Sequence, residues 1–178
     1  MAKIDADDSS KWLVQHRDLL PACGDALDVA CGRGRNALWL AARGLRVRAL
    51  DRDARALEQV RRDAQRAGLH VSAELVDLEQ PGVSLGRDAF DVIVATHYLH
   101  RPLFPALLEA LRPDGLLIYE TFTLAQAARG HPTNPDFLLR PGELRALVAP
   151  LAVIDYREGT CDGRDVAGIV AQRAPGQV

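Results

Sequence analysis

The sequence predicts a three-layer α/β sandwich. Helices should cover both faces of a seven-stranded, mostly parallel, doubly wound sheet that closes with an antiparallel hairpin. Three observations lead there. Short apolar runs alternate with amphipathic stretches from Ala26 to Glu120. The first run, Leu27-Asp28-Val29-Ala30, breaks into the turn Cys31-Gly32-Arg33-Gly34 and then into helix-forming residues. The last two apolar runs are joined by a connector too short for a parallel crossover.

Ser9 and Ser10 precede an apolar stripe over residues 11–20, which reads as a serine-capped helix closed by Pro21. Strand one is expected at 26–30, and its helix at 36–43 stops at Gly44. Strand two follows at 45–50. The next helix sets Leu57, Val60, Ala64 and Ala67 on one side and ends at Gly68. Strand three is read at 71–76. Strand four, 90–95, is nearly continuous apolar, as suits a strand covered on both faces. A helix at 103–112 and the turn Pro113-Asp114-Gly115 lead into strand five at 116–120. Residues 123–141 form a long polar segment rich in Gly, Pro and Asn, a length at which loops are usually functional. A short helix at 143–148 precedes strands at 151–157 and 166–172.

The chain has 178 residues, 48% of them hydrophobic, which suits one domain spanning 1–178. Within it, 1–24 reads as an N-terminal helical segment and 123–142 as a lid loop. Net charge is −2 with both signs interleaved, so nucleic acid is not favoured as a partner. No run of about 18 apolar residues exists, so no membrane span is expected. Residues 1–8 are polar and acidic, unlike a secretory leader. Cys23, Cys31 and Cys161 are widely spaced, which argues against a disulfide framework or a metal site. The expected setting is cytoplasmic, and no obligate protein partner is evident.

In doubly wound sheets, ligands sit beyond the C-terminal strand ends. Those positions hold Asp28 with Gly32 and Gly34, then Asp51, Asp77-Leu78, Thr96-His97-Tyr98, and Glu120. Gly32 and Gly34 permit positive φ and close approach of a ligand to the main chain. Asp51, about 20 residues after the turn, suits an acid that grips ribose hydroxyls. The relaxed fingerprint Gly32-x-Gly34-x-x-Ala37 also fits a dinucleotide. Electrostatics separates the two: a pyrophosphate near Asp28 would meet a like charge, whereas an ammonium group would be attracted. S-adenosylmethionine carries that ammonium group and a sulfonium, and no phosphate.

The ordered segments Leu27–Gly34, Ala49-Leu50-Asp51, Val76-Asp77-Leu78, Phe90-Asp91-Val92-Ile93 and Leu111-Arg112-Pro113-Asp114-Gly115 resemble the motifs of class I S-adenosylmethionine-dependent methyltransferases. These have a Rossmann-like fold, and the resemblance covers about residues 25–122. Within the class the chain is most similar to small bacterial enzymes of the tellurite-resistance and thiopurine type, which methylate small soft nucleophiles. Ala30 departs from the pattern, standing where the family usually has the first loop glycine; its methyl is tolerable if φ stays negative. The resemblance implies that Asp28 and the loop Ala30, Cys31, Gly32 and Gly34 hold the methionine end. It implies Asp51 for the ribose, Asp77 and Leu78 for the adenine, and Thr96 and His97 beneath the methyl group. The expected reaction is methyl transfer to a small-molecule acceptor. An RNA or protein methyltransferase, or a non-catalytic S-adenosylmethionine-binding module, is the alternative.

The cofactor brings the electrophile, so the protein supplies orientation and, for a protonated nucleophile, a base. His97, His100 and Glu120 are the candidate bases. Tyr98, Arg101, Phe137 and Arg140 are the candidate acceptor contacts. Trp12 reads as core, and Cys31 as a packing residue. By this reading, calorimetry should show S-adenosylmethionine and S-adenosylhomocysteine binding, and no binding of NAD. NAD binding more tightly would contradict it.

Overall fold

A computed structural model describes residues 9–176. The expectations for residues 1–8, including the start of the 1–24 segment, lie outside the described residues. The strands are β1 (Gly24–Val29), β2 (Leu45–Asp51), β3 (Val71–Leu75), β4 (Phe90–Thr96), β5 (Leu111–Phe122), β6 (Ala152–Cys161) and β7 (Arg164–Gln172). They form one sheet in the order β3-β2-β1-β4-β5-β7-β6. The first five are parallel to one another, and β7 runs antiparallel to both β5 and β6. The helices are α1 (Lys11–Gln15), α2 (Arg35–Ala42), α3 (Ala54–Ala67), α4 (Phe104–Ala110) and α5 (Glu143–Leu147). The α/β class and the C-terminal antiparallel pair are as the sequence predicts.

Strand alternation builds the two faces. On β4, Val92 and Val94 join Leu40, Leu57 and Val60 beneath α2 and α3. Ile93 and Ala95 join Phe104, Leu107 and Leu144 beneath α4 and α5. The local signals are physical. Asp53 caps α3 by accepting from the Arg55 and Ala56 N–H groups, and Gly68 ends it at φ 67°. Sheet order reverses at β1, which pairs with β2 on one side and β4 on the other. The crevice therefore opens beyond the C-terminal ends of β1 and β4.

Three elements differ from expectation. The first helix is only Lys11–Gln15, followed by a 3₁₀ turn at Arg17–Leu19. His16 Nδ1 lies 2.8 Å from the Trp12 carbonyl, so a ring nitrogen takes the place of a backbone donor there. Strand five begins at Leu111, which pairs with Phe90; Leu116 pairs with Val92, so residues 112–115 loop out between them. The final hairpin is longer than its apolar runs. Asp162 (φ 51°) and Gly163 (φ 74°) form the two-residue turn, and Cys161 pairs with Arg164.

The segment 123–142 is anchored along its length. Thr123 bridges Leu139, and Leu138 and Leu139 are fully buried. Gln126 donates to the His131 carbonyl and accepts from the Asp165 N–H.

The N-terminal helix docks through Trp12, whose indole lies against Gly168 of β7 and donates to the Ile169 carbonyl at 3.4 Å. A Cβ at Gly168 would stand 2.9 Å from the indole. Gly168→Ala should therefore lower stability by about 1–3 kcal/mol through overpacking. Chemical denaturation would measure it, and an unchanged midpoint would mean that α1 is free to shift.

Candidate active site

The turn after β1 is bent by positive φ at Ala30 (52°), Gly32 (54°) and Gly34 (72°). Ala30 thus does not keep the negative φ expected of it. The chain must turn at once so that the Cys31 N–H reaches the Leu50 carbonyl at 2.9 Å. An L residue in this conformation costs roughly 1–2 kcal/mol. Two carboxylates hold the bend. Asp51 accepts from the Gly32 N–H at 2.7 Å and from the Asp53 N–H at 2.9 Å. Asp28 accepts from the Ala37 N–H at 2.9 Å. At Gly34 a Cβ would stand 2.6 Å from Val60, whereas at Gly32 it would meet open space.

A cavity of about 250 Å³ lies at the strand ends. Ala30, Asp51, Asp77, Leu78, His97, Tyr98 and Phe137 line it, with Arg52, Val76, Glu79, Leu99, Phe122 and Pro132. Seven of the residues singled out in the sequence are thus brought together. Three carboxylates on the wall face a single guanidinium, and Arg52 is itself 3.6 Å from Glu79. Such a wall disfavours polyphosphate and suits hydroxyl, amino and ammonium groups. Asp77 is held ready by the Gln80 side chain and the Glu79 N–H, which lower its pKa. The Tyr98 hydroxyl is buried without a hydrogen-bond partner, and burial raises its pKa. That orphaned donor and the open space at Gly32 fit a nucleoside ligand. Among the described residues, no group of His, Cys, Asp and Glu could hold a metal ion.

Other expectations need correction. Asp28 is 1% exposed and lies beneath α2, off the cavity wall. Burial pushes its carboxyl up to about 7, against the pull of the Ala37 N–H and Arg35. It supports the loop from below. Cys31 is buried, in keeping with the packing role read from the sequence, and burial with the nearby Asp28 and Asp51 charges raises its thiol pKa. The Thr96 hydroxyl oxygen accepts from the Asn36 amide N–H at 3.0 Å. His100 lines a separate cavity with Pro81, Val83 and Pro102. Arg101 is no acceptor contact: it forks onto Glu143 at 2.7 and 2.9 Å and donates to the Asp136 and Leu138 carbonyls. It clamps the long segment to α5. Arg140 lines neither strand-end cavity; its N–H donates to Glu143.

The two remaining candidate bases are both engaged. Glu120 is 7% exposed and ion-paired with Arg157 of β6. His97 sits at φ 58° with its ring stacked on Phe122, centroids 4.9 Å apart. Arg35 Nη2 lies 3.3 Å from its Nδ1. A guanidinium can only donate, so Nδ1 accepts and the ring proton sits on Nε2. Desolvation by the cleft walls, with the Arg35 and Arg164 charges, lowers the His97 pKa to about 4. The imidazole is therefore a neutral donor near pH 7. Asn36 was not foreseen. It is buried and ties Ser10 to Thr96, joining the N-terminal segment to the end of β4.

Fold and site define an α/β domain with an acid-rich crevice at its strand ends, suited to hydroxyl, amino and ammonium groups. Residues 26–115 match the family described as a methyltransferase domain, and the chain belongs to that family. Its fold is shared with solved S-adenosylmethionine-dependent methyltransferases. Hemagglutinin 1 of Eikenella corrodens is 28% identical over 138 residues, covering 74% of this chain and 45% of that protein. TehB from Haemophilus influenzae superposes with a TM-score of 0.74 at 19% identity, over 97% of this chain and 63% of that one. A methyltransferase from Mesorhizobium loti superposes at 0.73 and 20% identity, over 93% of this chain and 99% of that one. The chain thus spans less than two thirds of the first two. The structural matches, at such low identity, establish the shared fold.

Asp28 carries a pH signature. The native protein keeps a proton that the unfolded chain releases near 3.8, up to about pH 7. Stability from this group is therefore lost as pH rises through that window. Relative to the wild type, Asp28→Asn should gain about 2–4 kcal/mol between pH 4 and pH 8. Urea denaturation across that range reads the difference, and a pH-independent one would show an unshifted carboxyl.

Proposed function

We propose that the protein transfers the methyl group of S-adenosylmethionine to a small-molecule acceptor that already holds a free lone pair at neutral pH. The carrying observation is the engagement of both strand-end bases: Arg35 donates to His97 Nδ1, and Arg157 is paired with Glu120. A site without a free base works by positioning the acceptor. The cofactor, when bound, supplies an electrophilic methyl on a sulfonium. Asp51 would take the ribose hydroxyls while still bracing Gly32. Asp77 and Leu78 would meet the adenine, and Tyr98 would gain a partner for its buried hydroxyl. His97, donating from Nε2, would orient the acceptor.

Pro132 and Phe137 line the cofactor cavity, and we read segment 123–142 as its cover. No described helix is long and apolar enough to cross a membrane. Three free cysteines accord with a cytoplasmic setting.

A methyl-donor consumption screen over thiols, oxyanions, phenols, amines and tRNA tests the reading. Turnover is expected with low-pKa thiols or anions; turnover with tRNA alone would overturn it. Asn tolerates the left-handed backbone at position 97. His97→Asn should lower kcat/KM by about ten-fold or less with no lost limb in the pH profile. A loss of about 10²–10⁴-fold with a vanished limb would make His97 a base.

A further inference from the structure

A second cavity, also about 250 Å³, adjoins the first, and His97 lines both. Its walls come from the N-terminal segment, the start of α2, the end of β5 and the β6–β7 hairpin. Four cations face it, Lys11, Arg35, Arg157 and Arg164, against two carboxylates. Both carboxylates are taken. Glu120 is paired with Arg157, and Asp162 with Lys11 at 2.7 Å. Among the described residues Arg35 and Arg164 form no ion pair within 4 Å, although Arg35 acts at longer range on the buried Asp28 and Arg164 on Asp162. Their fields meet at His97, since both charges depress its protonation. The Arg157 Nε is buried and also lacks a hydrogen-bond partner.

The chain as a whole is close to neutral, so this positive excess is local. Guanidinium groups match planar or tetrahedral oxyanions through paired N–H donors. A cavity of this size admits a small organic molecule and no folded polymer. We infer that the second cavity receives the anionic group, a carboxylate or phosphate, of the methyl acceptor, with Arg35 and Arg164 as its cationic partners. The inference rests on the methyltransferase reading above and adds the acceptor's chemical class. The anion is held on one side of His97 and the cofactor on the other, so the acceptor's lone pair is presented at their shared wall. A cationic amine is disfavoured by the same charges.

Cys161 provides a reporter, because it lies partly exposed on this cavity wall while Cys23 lies elsewhere on the surface. The protein is first titrated with S-adenosylhomocysteine by calorimetry. Alkylation of Cys161 by iodoacetamide is then followed by peptide mass spectrometry in the S-adenosylhomocysteine complex, with benzoate, phenyl phosphate or benzamide added. Benzoate or phenyl phosphate should slow Cys161 alkylation and leave Cys23 unaffected, and benzamide should do neither. The stronger of the two anions identifies the group. Arg164→Gln and Arg35→Gln should each weaken anion protection by about ten-fold, and Arg164→Gln should leave S-adenosylhomocysteine affinity unchanged. Protection by benzamide equal to that by benzoate, protection surviving in Arg35→Gln/Arg164→Gln, or no protection by either anion would overturn the inference while the cofactor reading stood. Failure of S-adenosylhomocysteine to bind would overturn the methyltransferase reading itself.

Discussion

The crevice depends on two carboxylates that fix the backbone between Ala30 and Ala37. Asp28 reaches up from β1 to the Ala37 N–H, and Asp51 reaches across from β2 to the Gly32 N–H. Between them the chain makes three left-handed bends within five residues. Such a turn exposes amide groups that a free loop would give to water. Holding it with side chains from two adjacent strands makes its shape a property of the sheet. Asp51 is the more consequential, because it braces the loop and also stands on the cavity wall. Asp28 does its part in near-complete burial, where it retains its proton up to about pH 7. The phosphate-averse charge of the cleft therefore comes from Asp51, Asp77 and Glu79 more than from Asp28.

The sheet was legible because its signals are local. Apolar runs mark buried parallel strands whatever their partners. Gly32 and Gly34 mark the turn because nothing else bends there without strain. The β6–β7 hairpin was legible in kind but not in length. Residues 158–161 lie on an exposed edge strand, so their polar side chains show no alternation. The pair Asp162-Gly163, a strong two-residue hairpin signal, could have extended it. The apolar residues of the long segment suggested a lid, yet Leu138 and Leu139 serve as its anchor in the core. Its contribution to the cavity comes from Pro132 and Phe137 instead.

The roles of polar side chains were less legible because they are set by partners distant in sequence. Arg101 meets Glu143 forty-two positions away, and Glu120 meets Arg157 thirty-seven away. Arg35 meets His97 across sixty-two. No local pattern encodes such pairings, and each alters the chemistry of its residue. Arg101 becomes a clamp, Glu120 a paired acid, and His97 a neutral donor. Two imidazoles and a carboxylate after neighbouring strands read as a base constellation only while their partners are unknown.

The two strained non-glycine residues of the crevice, Ala30 (φ 52°) and His97 (φ 58°), directly follow the last residues of β1 and β4, Val29 and Thr96. Each costs about 1–3 kcal/mol, which persists only where the surroundings over-determine the backbone. Here the parallel pairing ends, and both chains turn left immediately beyond it. An extended continuation from either strand would cross the space where sheet order reverses. The kinks keep that space open, and the one at His97 sets an imidazole at the wall between two cavities of opposite charge. The acid-rich cavity suits the amino and hydroxyl groups of a nucleoside, and the guanidinium-rich one suits an anion. A neutral ring can stand between them without favouring either charge. Arg35 enforces that neutrality by occupying Nδ1, so the feature that removes His97 as a base is the one that lets the two cavities share it.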